Sequence, residues 1–212
     1  MYQRTARISN IGTPGTTIGG TIQIDNLPSR ALLVFVTWNA GTISSVTING
    51  IALTYAGYQA SGSSLAAYIL VNPPVGILTV QVTTSLSSTT VADIVSLAGV
   101  QCSSGNVEAV DIGAVTSSNT GGSSTATTIP TNTDKCWVFA FARSSGTLAL
   151  GGAGFMQRTS LNNIILADTN GPIDRRSALT LTTTYTPSAA SNSHLLIAIR
   201  PAGAGAGVTG II

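Results

Sequence analysis

The chain has 212 residues and a mass of 21.4 kDa, yet only 8% of its residues are charged, against roughly 25% in an ordinary soluble domain. Nine Arg and Lys against seven Asp and Glu leave a formal charge of +2, which excludes a strongly basic nucleic-acid binder. An apolar share of 43% excludes intrinsic disorder. The missing charge is replaced by 30 Thr, 24 Ser and 23 Gly.

From the N-terminus, Tyr2 to Arg7 is polar and no apolar run of signal-peptide length follows, so the expectation is a chain without a cleaved leader. Residues 1–18, carrying Arg4 and Arg7, read as an arm. Short segments of period two then follow, rich in β-branched residues and bounded by Gly, Pro, Asn and Ser. The first are Thr21 to Ile24, Leu32 to Trp38, Ser45 to Ile48 and Ile51 to Thr54. Ala31 to Val36 is apolar throughout but far short of the roughly 20 residues that span a bilayer. Asn49-Gly50 predicts a two-residue hairpin with both residues at positive φ, placing Ile48 opposite Ile51 and Val46 opposite Leu53. Leu65 to Val71, the corner Asn72-Pro-Pro-Val-Gly76, Ile77 to Thr83 and Thr90 to Leu97 complete a first half.

Thr116-Ser-Ser-Asn-Thr-Gly-Gly-Ser-Ser124 reads as a flexible surface connection. A second half contains Thr125 to Ile129, Trp137 to Ala142, Thr147 to Leu150, Ile164 to Asp168, Ala178 to Tyr185 and His194 to Arg200. Residues 203–212 form a Gly/Ala-rich tail. No helix is expected. About a dozen short strands predict an all-β chain, an antiparallel β-sandwich over residues 19–202. Ile24, Leu32, Val34 and Val36 precede Ile129, Trp137, Phe139 and Phe141 by a constant offset, and Leu78, Val80 and Val82 resemble Leu179, Leu181 and Thr183. One reading is duplication, with similar halves at about 19–100 and 124–202 packed face to face in one sandwich. The other is that generic β-strands look alike by composition.

Motifs of chemistry are sparse. The single histidine, His194, begins the last predicted strand, where a solvated side chain is the ordinary outcome. No nucleophile elbow, zinc-protease or phosphate-loop motif occurs, so no enzymatic activity and no cofactor are expected. Gly205-Ala-Gly-Val-Thr-Gly210 matches a dinucleotide fingerprint in letters only, because no helix can follow it. Asp168, Asn170 and Asp174 place oxygen ligands at the spacing that opens a calcium loop, without its terminal glutamate. A plain Asn-Gly-Pro turn is the simpler reading. Arg175-Arg176 is the only basic doublet, and a charged loop or sheet edge explains it better than nucleic acid does. Tyr55 and Tyr58 are candidates for an exposed aromatic patch that could hold sugar, whereas Trp38 ends an apolar strand and belongs in a core. Cys102 and Cys136 have no metal-ligand spacing and read as unpaired, buried small hydrophobes.

The order of motifs carries a resemblance. Leu32 to Val36 is followed by Ser45-Val-Thr-Ile-Asn-Gly-Ile-Ala-Leu-Thr54, Tyr68-Ile-Leu-Val-Asn-Pro-Pro-Val-Gly76, Leu78-Thr-Val-Gln-Val-Thr83 and Ser96-Leu-Ala-Gly-Val100. With the closing Ala198-Ile-Arg-Pro-Ala202, this resembles a jelly-roll-like β-sandwich family of phage virion proteins and bacterial surface proteins. The resemblance implies a non-enzymatic scaffold with no shared catalytic residues. Without an export signal the expectation is a phage particle protein made in the host cytoplasm. It would be a capsid decoration or accessory head protein that contacts other virion proteins, assembles as a homo-oligomer, and binds neither nucleic acid nor membrane. Arg4, Arg7, Arg175, Arg176, Tyr55 and Tyr58 are the candidate interaction residues. A tail or fibre module binding a host surface glycan, a polysaccharide hydrolase and a single-jelly-roll shell protein remain as alternatives.

Overall fold

The computed structural model describes residues 2–59, 64–102, 105–106, 109–120, 124–151, 154–161, 163–173, 179–186 and 191–203. Among these residues there are seventeen β-strands and no α-helix, more strands than the dozen expected. The first half contains β1 (Tyr2–Ser9), β2 (Gly15–Ile24), β3 (Ala31–Trp38), β4 (Ile43–Ile48), β5 (Ile51–Ala52), β6 (Thr54–Gln59), β7 (Ser64–Val71), β8 (Gly76–Ser88) and β9 (Thr90–Ala98). They form a sheet of order β1-β9-β3-β7-β6 over one of order β2-β8-β4-β5. Successive strands largely alternate between the two sheets, and the last strand lies between the first and third. This is the jelly-roll arrangement, and every named pairing in it is antiparallel.

The second half repeats it. Its strands are β10 (Val110–Thr120), β11 (Ser124–Ile129), β12 (Trp137–Ser144), β13 (Thr147–Gly151), β14 (Met156–Leu161), β15 (Ile164–Asp168), β16 (Leu179–Thr186) and β17 (Ser191–Ile199). The sheets have the orders β10-β17-β12-β15-β14 and β11-β16-β13. The expected single sandwich over 19–202 is therefore built as two, because nine and eight strands suffice for each half to cover a core of its own.

Three apolar cores follow from this layering. Ile22, Ile24, Leu32, Val34, Ile48 and Val80 fill the first sandwich, and Ile129, Val138, Ala140, Leu181 and Leu196 fill the second. The third core lies between the five-stranded sheets, where Leu33, Phe35, Leu65 and Ile69 meet Trp137, Phe139, Phe141 and Ile197. Strands β3, β9 and β15 are buried along their whole length because both faces of the inner sheets are covered. The outer-sheet strand β8 instead alternates between buried and exposed positions over most of its length.

The predicted halves align with one correction. Ile24 and Ile129 both face the core of their own sandwich, but Leu32 faces its sandwich core while Trp137 faces the seam. The true counterparts of Trp137, Phe139 and Phe141 are Ala31, Leu33 and Phe35, shifted by one residue. A strand apolar on both faces carries no period-two signal to fix that parity.

Two segments expected to lie outside the sandwich belong to it. Within the arm, β1 pairs with β9 from Tyr2↔Ala98 to Ser9↔Val91, and a Cβ added at Gly20 would collide with Ile8 Cγ2. The connection after residue 116 begins as the end of β10, paired to β17 through Thr120↔Ser191. The tail beyond residue 203 lies outside the described residues. At the hairpin, Asn49 and Gly50 have φ of 46° and 81° and Ile48 pairs with Ile51, as the dipeptide predicts.

Candidate functional site

The two sandwiches part at one end of their seam, leaving a cavity of about 560 Å3. Its wall includes Thr37, Thr89, Arg143, Ser145, Thr147 and Thr186, so five of these six residues carry a hydroxyl. Ile11, Val91, Leu161 and Ile164 supply apolar surface. Among the described lining residues there is no carboxylate, imidazole or thiol.

Arg143 is placed there by strand periodicity. It follows Trp137, Phe139 and Phe141 on the face of β12 that looks into the seam, one step beyond the apolar core. Its Nη1 donates to Thr37 Oγ1 at 2.7 Å and to the Trp38 carbonyl at 2.7 Å. These contacts fix the guanidinium to the other sandwich. Burial alone holds its pKa below the ordinary arginine range, with no nearby carboxylate contributing.

The other cations seen in ion pairs are differently placed. Arg4 pairs with Asp25 at 2.8 Å on the surface. Arg7 grips fully buried Asp93 through Nε at 2.7 Å and Nη2 at 2.5 Å, and Nη2 also donates to Thr159 Oγ1 of the second sandwich at 2.8 Å. Arg200 pairs with Asp111 at 3.2 Å. Arg7, expected to face a partner, is thus a clamp inside the molecule.

The calcium-loop reading gives way to an arginine. Asp168 is fully buried and takes Arg158 Nε at 2.6 Å and Nη2 at 2.8 Å, while Nη2 also donates to Asn170 Oδ1 at 2.9 Å. Asn170 and Gly171 have φ of 54° and 135°, which is the turn geometry of an Asn-Gly pair. Guanidinium occupies the place a cation would need. Asp174, Arg175 and Arg176 lie outside the described residues. Among the described residues, no group of three His, Cys, Asp or Glu could hold a metal.

Tyr55 is 53% exposed on β6 and packs edge-on against Tyr68 with ring centroids 5.8 Å apart. Tyr58 is on the same strand, paired with Ala66, and its side chain lies outside the described residues. Trp38 is in a core, as expected. Both cysteines are free. Cys136 is buried, and Cys102 is half-buried with Sγ donating to the Arg30 carbonyl at 3.1 Å.

His194 departs from the expected solvated position. It sits within β17, fully buried, its Nε2 2.7 Å from Thr183 Oγ1 and its Nδ1 3.0 Å from Thr127 Oγ1. Asn192 Nδ2 also donates to Thr183 Oγ1 at 2.7 Å. Burial pulls the His194 pKa down to about 4, which keeps the ring neutral in this network near neutral pH.

Neither the seam cavity nor Arg143 has a motif in the sequence. The only available signal was an arginine interrupting an apolar run, at Ala142-Arg143-Ser144.

No family model matches the chain, and no curated protein matches it. Two solved structures are similar over most of the chain, at low TM-score. The major capsid protein P2 from bacteriophage PM2 is 6% identical, with 92% of this chain and 96% of that one covered and a TM-score of 0.32. An anti-sigma factor domain-containing protein is 8% identical, with 88% and 76% covered and a TM-score of 0.26.

Proposed function

We propose that this chain is a non-enzymatic structural protein of a bacteriophage particle, an accessory or decoration protein that adheres to the head through its neutral outer surface. The supporting observation is the direction in which its charge points. Four of the seven carboxylates, Asp25, Asp93, Asp111 and Asp168, are held by arginines within the molecule, and the last three are buried. The outward positions of the outer sheets carry Thr17, Thr21, Thr79 and Gln81 in one half and Thr128, Thr180 and Thr184 in the other. Ile51, Val75, Ile77 and Leu86 add exposed apolar area. A surface with few charges and several exposed aliphatic groups favours contact with other subunits over isolation in water. The sequence resemblance to virion sandwich proteins agrees with this reading.

The test is addition of the purified chain to undecorated phage heads. Saturable binding with a rise in the temperature or osmotic stress at which heads rupture is the expected result. Binding to purified tails and not to heads would move the role to the tail, and a stable monomer that binds neither would overturn it.

A further inference from the structure

The seam cavity combines features that single out one ligand chemistry. Arg143 has only Nη1 engaged among the described residues, so its Nε and Nη2 edge is open. That edge is one of the two on which a guanidinium takes a carboxylate with paired hydrogen bonds. The two bonds from Nη1 already immobilise the group, so little side-chain entropy remains to be lost on binding. A desolvated cation without a counter-charge is costly, and Arg4, Arg7, Arg158 and Arg200 each have an aspartate that Arg143 lacks.

Around this charge the wall presents hydroxyls from Thr89, Ser145, Thr147 and Thr186 and the amide of Asn163. The backbone amide of Gly146, the glycine of this wall, is already bonded to Ser144 Oγ and so is not free to cradle a phosphate. The volume lies within the range of roughly 300–1,000 Å3 seen for small-ligand pockets. The duplicated scaffold sharpens the point. Arg143 and Thr37 occupy equivalent positions of the two halves and meet in this one cavity, so only the second half contributes a charge to it.

We propose that the seam cavity is a binding site for an acidic sugar, whose carboxylate takes the open edge of Arg143 and whose hydroxyls exchange hydrogen bonds with the threonine and serine wall. The accessible apolar surface of Ile11 and Leu161 suits the C–H face of such a ring. The chemistry is independent of where on a particle the chain resides.

Titration calorimetry on the full chain with glucuronic acid and N-acetylneuraminic acid tests this. Glucose, acetate, inorganic phosphate and a short oligoglutamate serve as comparison ligands. The expected result is saturable binding of at least one acidic sugar with Kd below about 1 mM, and glucose and acetate weaker by about tenfold or more. Arg143→Gln should lose about tenfold or more in that affinity. Thr147→Tyr, a substitution at an exposed wall position, should block the cavity in a chain that still folds, and decides the matter if Arg143→Gln does not fold. No acidic-sugar binding, unchanged affinity in a folded variant, or phosphate or oligoglutamate binding as tightly as the sugar would overturn the proposal.

Discussion

Phe35 and Phe141 occupy equivalent positions of the two halves and meet across the seam, their ring centroids 5.6 Å apart at an interplanar angle of 38°. Phe139 adds a second contact to Phe35 at 6.4 Å. Because the central core belongs to both sandwiches, Phe35→Ala should destabilise the whole chain by about 3–5 kcal/mol. Urea unfolding followed by tryptophan fluorescence reports both halves, through Trp38 and Trp137. A single transition at lower urea is expected, whereas two separated transitions would show halves that unfold independently.

The Arg7 clamp gives a second expectation. Removing one partner of a buried ion pair leaves the other charge uncompensated, so Arg7→Met should cost about 3–5 kcal/mol. The double variant Arg7→Met/Asp93→Leu should be less destabilised than Arg7→Met alone, since no charge is then stranded. Thermal melts of the single and double variants check the sign of this coupling.

His194 should make stability depend on pH. Its folded pKa of about 4 lies below the unfolded value of about 6.5, so between these values the unfolded chain binds more protons. Stability is then complete above about pH 6.5, falls as the pH drops, and stops falling from this cause below about pH 4. The full loss amounts to about 3 kcal/mol. His194→Gln should flatten the profile of unfolding free energy between pH 6.5 and 4. An unchanged slope in that variant would assign the effect to other groups.

The cysteines should differ in reactivity. Burial, reinforced by the neighbouring Asp111 charge, pushes the Cys136 thiol up to about 12. Burial also raises Cys102, which is only half-buried. Since the thiolate is the reactive form, maleimide at pH 8 should label Cys102 slowly and Cys136 only after denaturant is added. Mass spectrometry of the labelled peptides reads this directly.

What the sequence disclosed follows from where each strand lies. The central strands β3, β9, β12 and β17 announce themselves through apolar runs, and the outer strands β8 and β16 through alternation. The Asn49-Gly50 hairpin and the Asn72 to Gly76 corner are written in turn residues. Four segments carry no such signal: β1, β10 and β14, and most of β6. These are the outermost strands of the two five-stranded sheets. An edge strand pairs on one side only and tolerates Arg, Ser and Gly, so its composition resembles an arm or a linker. The candidate site was harder still. Arg143 acquires its surroundings from Thr37, 106 residues earlier, and Asp168 is matched to Arg158 by a register shift in β14. Neither relationship has a local signature.

The strand order also governs how this chain is made. In both halves the final strand is inserted between the first and third, β9 between β1 and β3 and β17 between β10 and β12. Neither inner sheet can close until that last strand has been synthesised, at residue 98 for the first and residue 199 for the second. Contacts so distant in sequence slow folding, and the waiting strands present open edges and few repelling charges. Synthesis therefore passes through two intervals in which neighbouring nascent chains compete for the same pairing. The first ends when β9 docks, about halfway along the chain, and leaves a closed sandwich on which the second half is assembled.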